Sequence, residues 1–250
     1  LVNGEINCIM QLGVMSQLRG VDSTGLVVVG REGNTKKLRN NIELQVCKDT
    51  EPAGFYLYSK DVSETLKKVS IVSGVIGHCR AATVGNVTAE NAHPFTCEHI
   101  TGVHNGTLMG PLETEAKKLG ITDSEVLYQT MAEYGLQYTL DKCGFNSAYA
   151  LVWVDRQHNT INFLRNNKRS LYMMYNKGHT TLLWASEKGM LNLLREREPL
   201  YDFEDPFLLM EHTHTSIPIG EIGCTNIENI RPKVEFISPS SRKYEAADQS

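Results

Sequence analysis

The chain has 250 residues with 25 basic and 29 acidic side chains, so its formal charge is −4 and it carries no basic block of the kind a dedicated nucleic-acid binder uses. That length suits one large domain or two small ones and buries roughly three quarters of its unfolded surface. The composition, 41% hydrophobic and 22% charged, excludes a disordered chain, and the longest apolar run, Ala148 to Val154, is far short of the roughly 20 residues of a membrane helix.

In chain order, Ile6, Ile9, Met10, Val14 and Leu18 fall at near-helical spacing and predict an amphipathic helix. The turn-rich stretch Arg19 to Gly25 follows, and Leu26 to Val29 reads as a short buried strand. Glu43 to Cys47 and Phe55 to Tyr58 are further strand candidates, Val62 to Val69 a short helix, and Ile71 to His78 another strand. Ile100 to Leu108 contains Asn105-Gly106 between apolar positions, a hairpin or sharp-turn signal. Thr122 and Glu125 form a capping box that opens a helix with Val126, Leu127, Thr130 and Met131 on one face. The pattern then turns β-rich: Ala148 to Val154, Thr160 to Leu164, Leu171 to Tyr175 and Thr180 to Trp184, with Asp155 to Asn159 as a hairpin loop. Ser186 is expected to cap a short helix through Leu194, and later strands are expected near Phe207 to Met210 and Ser216 to Ile222. Two layers of mainly antiparallel sheet covered by helices fit this order. One domain is expected over residues 1–238, followed by a polar tail or linker at 239–250.

Six cysteines, Cys8, Cys47, Cys79, Cys97, Cys143 and Cys224, are scattered without a C-x-x-C pair, which reads as reduced thiols in a cytoplasm. Asn86 and Asn105 each head a glycosylation sequon, but Asn105 is expected in a pocket that no glycan would enter. His78, Cys79, His93, Cys97, His99 and His104 crowd one stretch without the paired spacing of a zinc site, so no metal and no cofactor are expected.

Four segments together have the makings of a pocket for a small zwitterion. Arg80, at the end of a predicted strand, has the forked donors that clamp a carboxylate, with Thr83 to assist. The Asn105 amide and the Gly106 N–H are two donors that would converge on one oxygen, the layout of an oxyanion hole. Asp123, at a helix start, offers a carboxylate to an ammonium, or simply caps the helix. The loop Arg19-Gly20-Val21-Asp22-Ser23-Thr24-Gly25 is tight and leaves Arg19 free to reach inward. Each segment alone has a plain structural reading: a paired arginine, a hairpin turn, a cap, a connection.

Read in order, these segments resemble the glutaminase domain of the class II glutamine amidotransferases, which are N-terminal-nucleophile hydrolases. The carriers are Arg19 to Gly25 (R-G-x-D-S-x-G), Gly77-His78-x-Arg80-x-x-Thr83, Asn91-Ala92-His93-Pro94, His104-Asn105-Gly106, Thr122-Asp123-Ser124-Glu125-Val126, Ala148 to Leu151, and Ala185-Ser186-Glu187. The resemblance implies an α+β fold, a four-layer αββα sandwich of two mainly antiparallel sheets. It implies hydrolysis of the glutamine side-chain amide to glutamate and ammonia, with L-glutamine as ligand and a synthetase or transferase subunit or domain as ammonia acceptor. By position, Arg80 and Thr83 would hold the glutamine carboxylate. Asp123 and the region of Gly106 would hold its ammonium, Asn105 and Gly106 would form the oxyanion hole, and Arg19 and His93 would shape the pocket. Neither a nucleic acid nor a membrane is expected as partner.

The sequence departs from the family at Ala81 and Val84, where some members frame the substrate with larger side chains. It departs most at the nucleophile. Members begin with Cys-Gly, whose free α-amine serves as base for its own thiol. Leu1 to Gly4 matches neither that start nor a signal peptide, so the cysteine is expected upstream of Leu1, by about half a dozen residues. Two alternatives remain open: an inactive binding or structural module on the same fold, and a hydrolase of another amide.

Overall fold

The computed structural model describes residues 3–31, 42–69, 71–82, 86–219 and 233–237. The first helix, α1, spans Asn3–Ser16 and runs into a 3-10 turn, Gln17–Arg19. The strand β1, Ser23–Arg31, pairs antiparallel with β2, Ile42–Asp49, and with β3, Ile71–Arg80. Between β2 and β3 lie the helices α2, Ala53–Tyr56, and α3, Lys60–Lys68. A six-stranded antiparallel sheet follows, built from β4 (Phe95–Cys97), β5 (Ile100–Thr107), β6 (Ala148–Asp155), β7 (Thr160–Arg165), β11 (Thr213–Pro218) and β12 (Lys233–Phe236). The helices α4 (Pro111–Leu119), α5 (Asp123–Tyr134) and α6 (Leu136–Lys142) lie between β5 and β6. A third sheet has the order β10-β8-β9, from β8 (Tyr172–Tyr175), β9 (Leu182–Ala185) and β10 (Phe207–Leu208), with α7 (Lys188–Arg197) after β9.

Side-chain alternation assembles these elements into layers. In β6, Leu151 and Trp153 join a core with Leu112, Val126, Leu127, Tyr128 and Met131 of α4 and α5. Their neighbours Ala150, Val152 and Val154 face the other way and pack with Val27, Val29 and Ile76 of β1 and β3, and with Met173 of β8. On β1 the alternate residues Leu26 and Val28 pack outward against Ala53, Tyr56 and Val62. Cys8 of α1 and Leu191 and Leu194 of α7 cover Met174 and Ala185. The result is helices, a layer of two three-stranded sheets, the six-stranded sheet, and helices again. The run Leu26 to Val29 is apolar throughout because both faces of β1 are covered.

Most predicted elements are present with shifted ends. The strand expected at Phe55 to Tyr58 is instead a helical turn, because Pro52 opens it and its carbonyl accepts from the N–H groups of Phe55 and Tyr56, at 3.0 Å each. Ser186 does not cap α7. Glu187 occupies that position without a side-chain bond, and the Ser186 carbonyl accepts from Ser170 Oγ at 2.6 Å. The helix runs on past Leu194 to Arg197. The strand near Phe207 stops at Leu208, and the later one begins at Thr213; its expected end at residues 220–222 lies outside the described residues, as does the tail at 239–250. The helices α4 and α6 and the strands β4 and β12 had no counterpart in the sequence reading. No helix among the described residues is long and apolar enough to cross a membrane.

Candidate active site

Asn105 and Gly106 are not a hairpin turn. They lie inside β5, opposite Ala150 and Tyr149 of β6. Glycine is required there: Gly106 has φ 155°, and a methyl group on it would come within 1.9 Å of the Ala148 carbonyl oxygen. The preceding His104 is buried, with Nδ1 2.9 Å from Ser124 Oγ and Nε2 3.3 Å from the Ala148 oxygen. Burial lowers its proton affinity, and Asp123 partly offsets this.

Asp123 is the first residue of α5, and the capping is done by its neighbour: Thr122 Oγ1 accepts from Glu125 N at 3.2 Å. The Asp123 carboxylate is therefore free for another task. Its Oδ2 accepts from Leu108 N at 2.8 Å and its Oδ1 from Ser124 N at 2.9 Å. This ties the end of β5 to the start of α5 and leaves lone pairs toward the cavity that Asp123 lines.

Arg80 ends β3 and is only 5% exposed. Its Nη1 donates to the Asn86 carbonyl at 3.1 Å, and burial lowers its proton affinity against the pull of Asp22 and Asp123. The Arg19–Gly25 loop packs on this strand end. Asp22 N donates to the Arg80 carbonyl at 3.0 Å, Asp22 Oδ2 accepts from Ala82 N at 2.7 Å, and a methyl on Gly20 would meet the Arg80–Ala81 backbone at 2.2 Å. Arg19 itself reaches Glu187 at 3.2 Å at the surface. Thr83 and Val84 lie outside the described residues.

His93 is buried against His78, with ring centroids 4.1 Å apart, and edge-on to Phe95 at 4.9 Å. Among the described residues, neither of its ring nitrogens has a hydrogen-bond partner. Desolvation holds both rings neutral, pushing His78 down to about 3 and His93 well below the usual histidine value.

Arg19, Arg80, His93, Asn105, Gly106 and Asp123 all line one cavity of about 770 Å³. It runs between the two sheet layers, walled by β3 on one side and β9 on the other. Among the described residues both strands are edges, β3 of the sheet β2-β1-β3 and β9 of the sheet β10-β8-β9. The cavity is also lined by a cation the sequence did not advertise: Arg169, from the loop between β7 and β8, whose Nε has no hydrogen-bond partner among the described residues. It belongs to no motif, and only the fold brings it near His104, whose proton affinity it lowers. His214 of β11 is half-buried, stacked on Trp153 at 5.3 Å and 3.0 Å from Asn162 Oδ1.

Neither thiol on the cavity wall is activated. Cys79 Sγ donates to the Gly13 carbonyl at 3.6 Å, and burial pushes it up to about 11. Cys8 is likewise pushed up to about 11 by burial, then by Glu198 and Glu5.

The family model for class-II glutamine amidotransferases matches residues 32–195, a span that takes in Arg80, His93, Asn105, Gly106 and Asp123. The chain belongs to that family. Glutamine–fructose-6-phosphate aminotransferase (isomerizing) of Pectobacterium atrosepticum is 38% identical over 93 residues, 37% of this chain and 13% of that protein. The enzyme of the same name from Escherichia coli K12 is 34% identical over 119 residues, 44% of this chain and 17% of that protein. Two solved structures share the fold across 92% of this class-II domain. One is described as the allosteric regulatory enzyme of purine biosynthesis (TM-score 0.64, 17% identity, 46% of that chain). The other is glutamine phosphoribosylpyrophosphate amidotransferase from B. subtilis with ADP and GMP (TM-score 0.61, 18% identity, 47% of that chain). The chain thus spans under a fifth of the length of these curated relatives and just under half of the solved ones. The αββα sandwich expected from the resemblance is the architecture observed.

Proposed function

We propose that this domain hydrolyses the side-chain amide of L-glutamine and hands the ammonia to a synthetase or transferase partner or domain. The observation that carries the reading is the convergence of Asn105, Gly106, Asp123 and Arg80 on one cavity, in a chain of this family. The nucleophile is a cysteine expected upstream of Leu1. The edges of β3 and β9, both on the cavity wall, support this, since an extended segment pairing with such an edge would lie along the cavity. Its thiol gives its proton to the α-amine of the same residue as the sulfur attacks the glutamine Cδ, and the carbonyl π electrons move to oxygen. The Asn105 amide and the Gly106 N–H stabilise that oxyanion. As it collapses, the C–N bond breaks and ammonia leaves with a proton from the α-ammonium of the cysteine. Water then attacks the γ-glutamyl thioester, releasing glutamate and the thiol.

Arg80, with Thr83, holds the substrate carboxylate, while Asp123 and the Gly106 region hold the ammonium. Arg19 and His93 shape the surroundings. The domain takes in residues 1–238, which the pairing of β12 on β11 supports, and 239–250 are a polar tail or linker. Five free thiols among the described residues support a reducing, cytoplasmic setting.

The test is release of glutamate and ammonia from glutamine by the complete protein. Turnover that disappears in Asn105→Ala supports the reading. No turnover, with or without an acceptor protein, would leave a binding module on a glutaminase fold, and turnover of another amide alone would mark a change of substrate.

A further inference from the structure

Lys48 lies on β2, beside the site rather than in it. Its half-buried ammonium faces main-chain carbonyls: Nζ donates to Ala92 O at 2.8 Å, Glu90 O at 3.0 Å and Pro94 O at 3.3 Å. It also sits 5.1 Å from the centre of the Phe95 ring. Desolvation lowers its proton affinity, and Glu125 and Glu90 partly offset this. An ammonium taken out of water is costly unless its donors are satisfied, and here a single segment, residues 90–94, supplies all three acceptors. That segment has little regular structure of its own, and it is tied to the residues just before it by Ala92 N to Ala89 O at 3.2 Å and Asn91 N to Thr88 Oγ1 at 3.3 Å.

The segment carries two connections to the site. The first is His93, whose ring packs on His78 and whose carbonyl lies where a methyl on Gly25 would approach within 2.1 Å. Gly25 is the β1 partner of Lys48, so this close crossing occurs beside the lysine stem. The second is Asn86. Its carbonyl accepts from Arg80 Nη1 at 3.1 Å and from Asn91 Nδ2 at 3.0 Å, so the arginine and the clamped segment share one anchor.

We propose that Lys48 is a positioning residue for the glutaminase site: its ammonium gathers the carbonyls of residues 90, 92 and 94 and thereby fixes His93 and the anchor of Arg80. The proposal rests on the glutaminase reading for its consequence, but not for its geometry. Lys48→Met keeps the stem and removes the charge. Three carbonyls then lose their donor, and the segment relaxes away from Gly25. Because the parts affected bind substrate rather than stabilise the oxyanion, the KM for glutamine rises, by about tenfold, while kcat changes by less than about threefold. Lys48→Arg keeps the charge but presents a planar fork to three carbonyls that converge on a point, and gives an intermediate KM.

The experiment measures KM and kcat for glutamine on the complete protein, wild type and both variants, together with the ring resonances of His78 and His93 by NMR. A raised KM, near-constant kcat and shifted histidine resonances in Lys48→Met are expected. A fall in kcat as large as the rise in KM, with a broad loss of folded signals, would mean a general structural lysine and overturn the proposal. Should Lys48→Met fail to fold, Lys48→Arg decides, and wild-type KM and resonances there overturn it. If the wild type does not turn over glutamine, the glutaminase reading fails separately. Histidine resonances unchanged in the folded Lys48→Met protein would still refute the positioning.

Discussion

The two sheet layers differ in completeness. Among the described residues, the six-stranded sheet is continuous from β12 to β4, whereas the facing layer consists of two three-stranded sheets with edges on the cavity. The proposed oxyanion donors belong to the six-stranded sheet, where Asn105 and Gly106 are fixed by pairing with Ala150 and Tyr149. Arg80 belongs to the interrupted layer, at the end of an edge strand, and is held by loops instead. On the proposed roles, the donors for a developing charge stand on paired sheet, and the side that takes the substrate carboxylate lies at a strand edge.

Substitutions test that division. The largest effect is expected on the paired-sheet side: Asn105→Ala should lower kcat about 10²- to 10³-fold with little change in KM. A change confined to KM would move Asn105 from the oxyanion to ground-state binding. Asp123→Asn should raise the KM for glutamine by about tenfold or more, because the ammonium loses its charged partner. An unchanged KM would leave Asp123 with only its bonds to Leu108 N and Ser124 N.

The interrupted layer should also be the acid-sensitive one. His78 is pushed down to about 3 by burial, and His93 is lowered in the same direction, so the unfolded chain binds more protons than the folded one below about pH 6.5. Stability is therefore full above that value and falls as pH drops, by about 1.4 kcal/mol per pH unit for each histidine. Urea midpoints measured from pH 7.5 to 4.5 should show this slope, and His78→Gln should reduce it. A midpoint independent of pH would show that these rings accept protons in the folded state. The smallest effect is at the α5 cap, where Thr122→Ala should cost about 1 kcal/mol by removing the acceptor of Glu125 N. A loss several times larger would mean that Thr122 also supports Asp123.

The sequence was most legible where one local rule acts alone. Thr122 and Glu125 announced the start of α5, although only the Thr122 half of the box forms, since the Glu125 carboxylate receives Gln129 Nε2 at 3.4 Å. The buried run at Leu26 announced β1. It misled where a tertiary neighbour decides. Asn105-Gly106 reads as a turn, yet the glycine serves the close passage of Ala148. Tyr56 belongs to an apolar-looking strand pattern, but Pro52 and the bond from Tyr56 OH to Asp61 Oδ2, at 2.6 Å, place it in a helical turn. The ordered motifs located Arg80, His93, Asn105, Gly106 and Asp123 around one cavity. Lys48 and Arg169 were invisible because each acts through a segment distant in sequence, and no local pattern encodes that proximity.

The most direct test of the central claim is covalent labelling of the complete protein by a γ-diazoketone analogue of glutamine, read by intact mass and peptide mapping. One adduct is expected, blocked by excess glutamine, on a cysteine that precedes Leu1 and none on Cys8 or Cys79. An adduct on Cys8 or Cys79, or no adduct that glutamine protects, would contradict it.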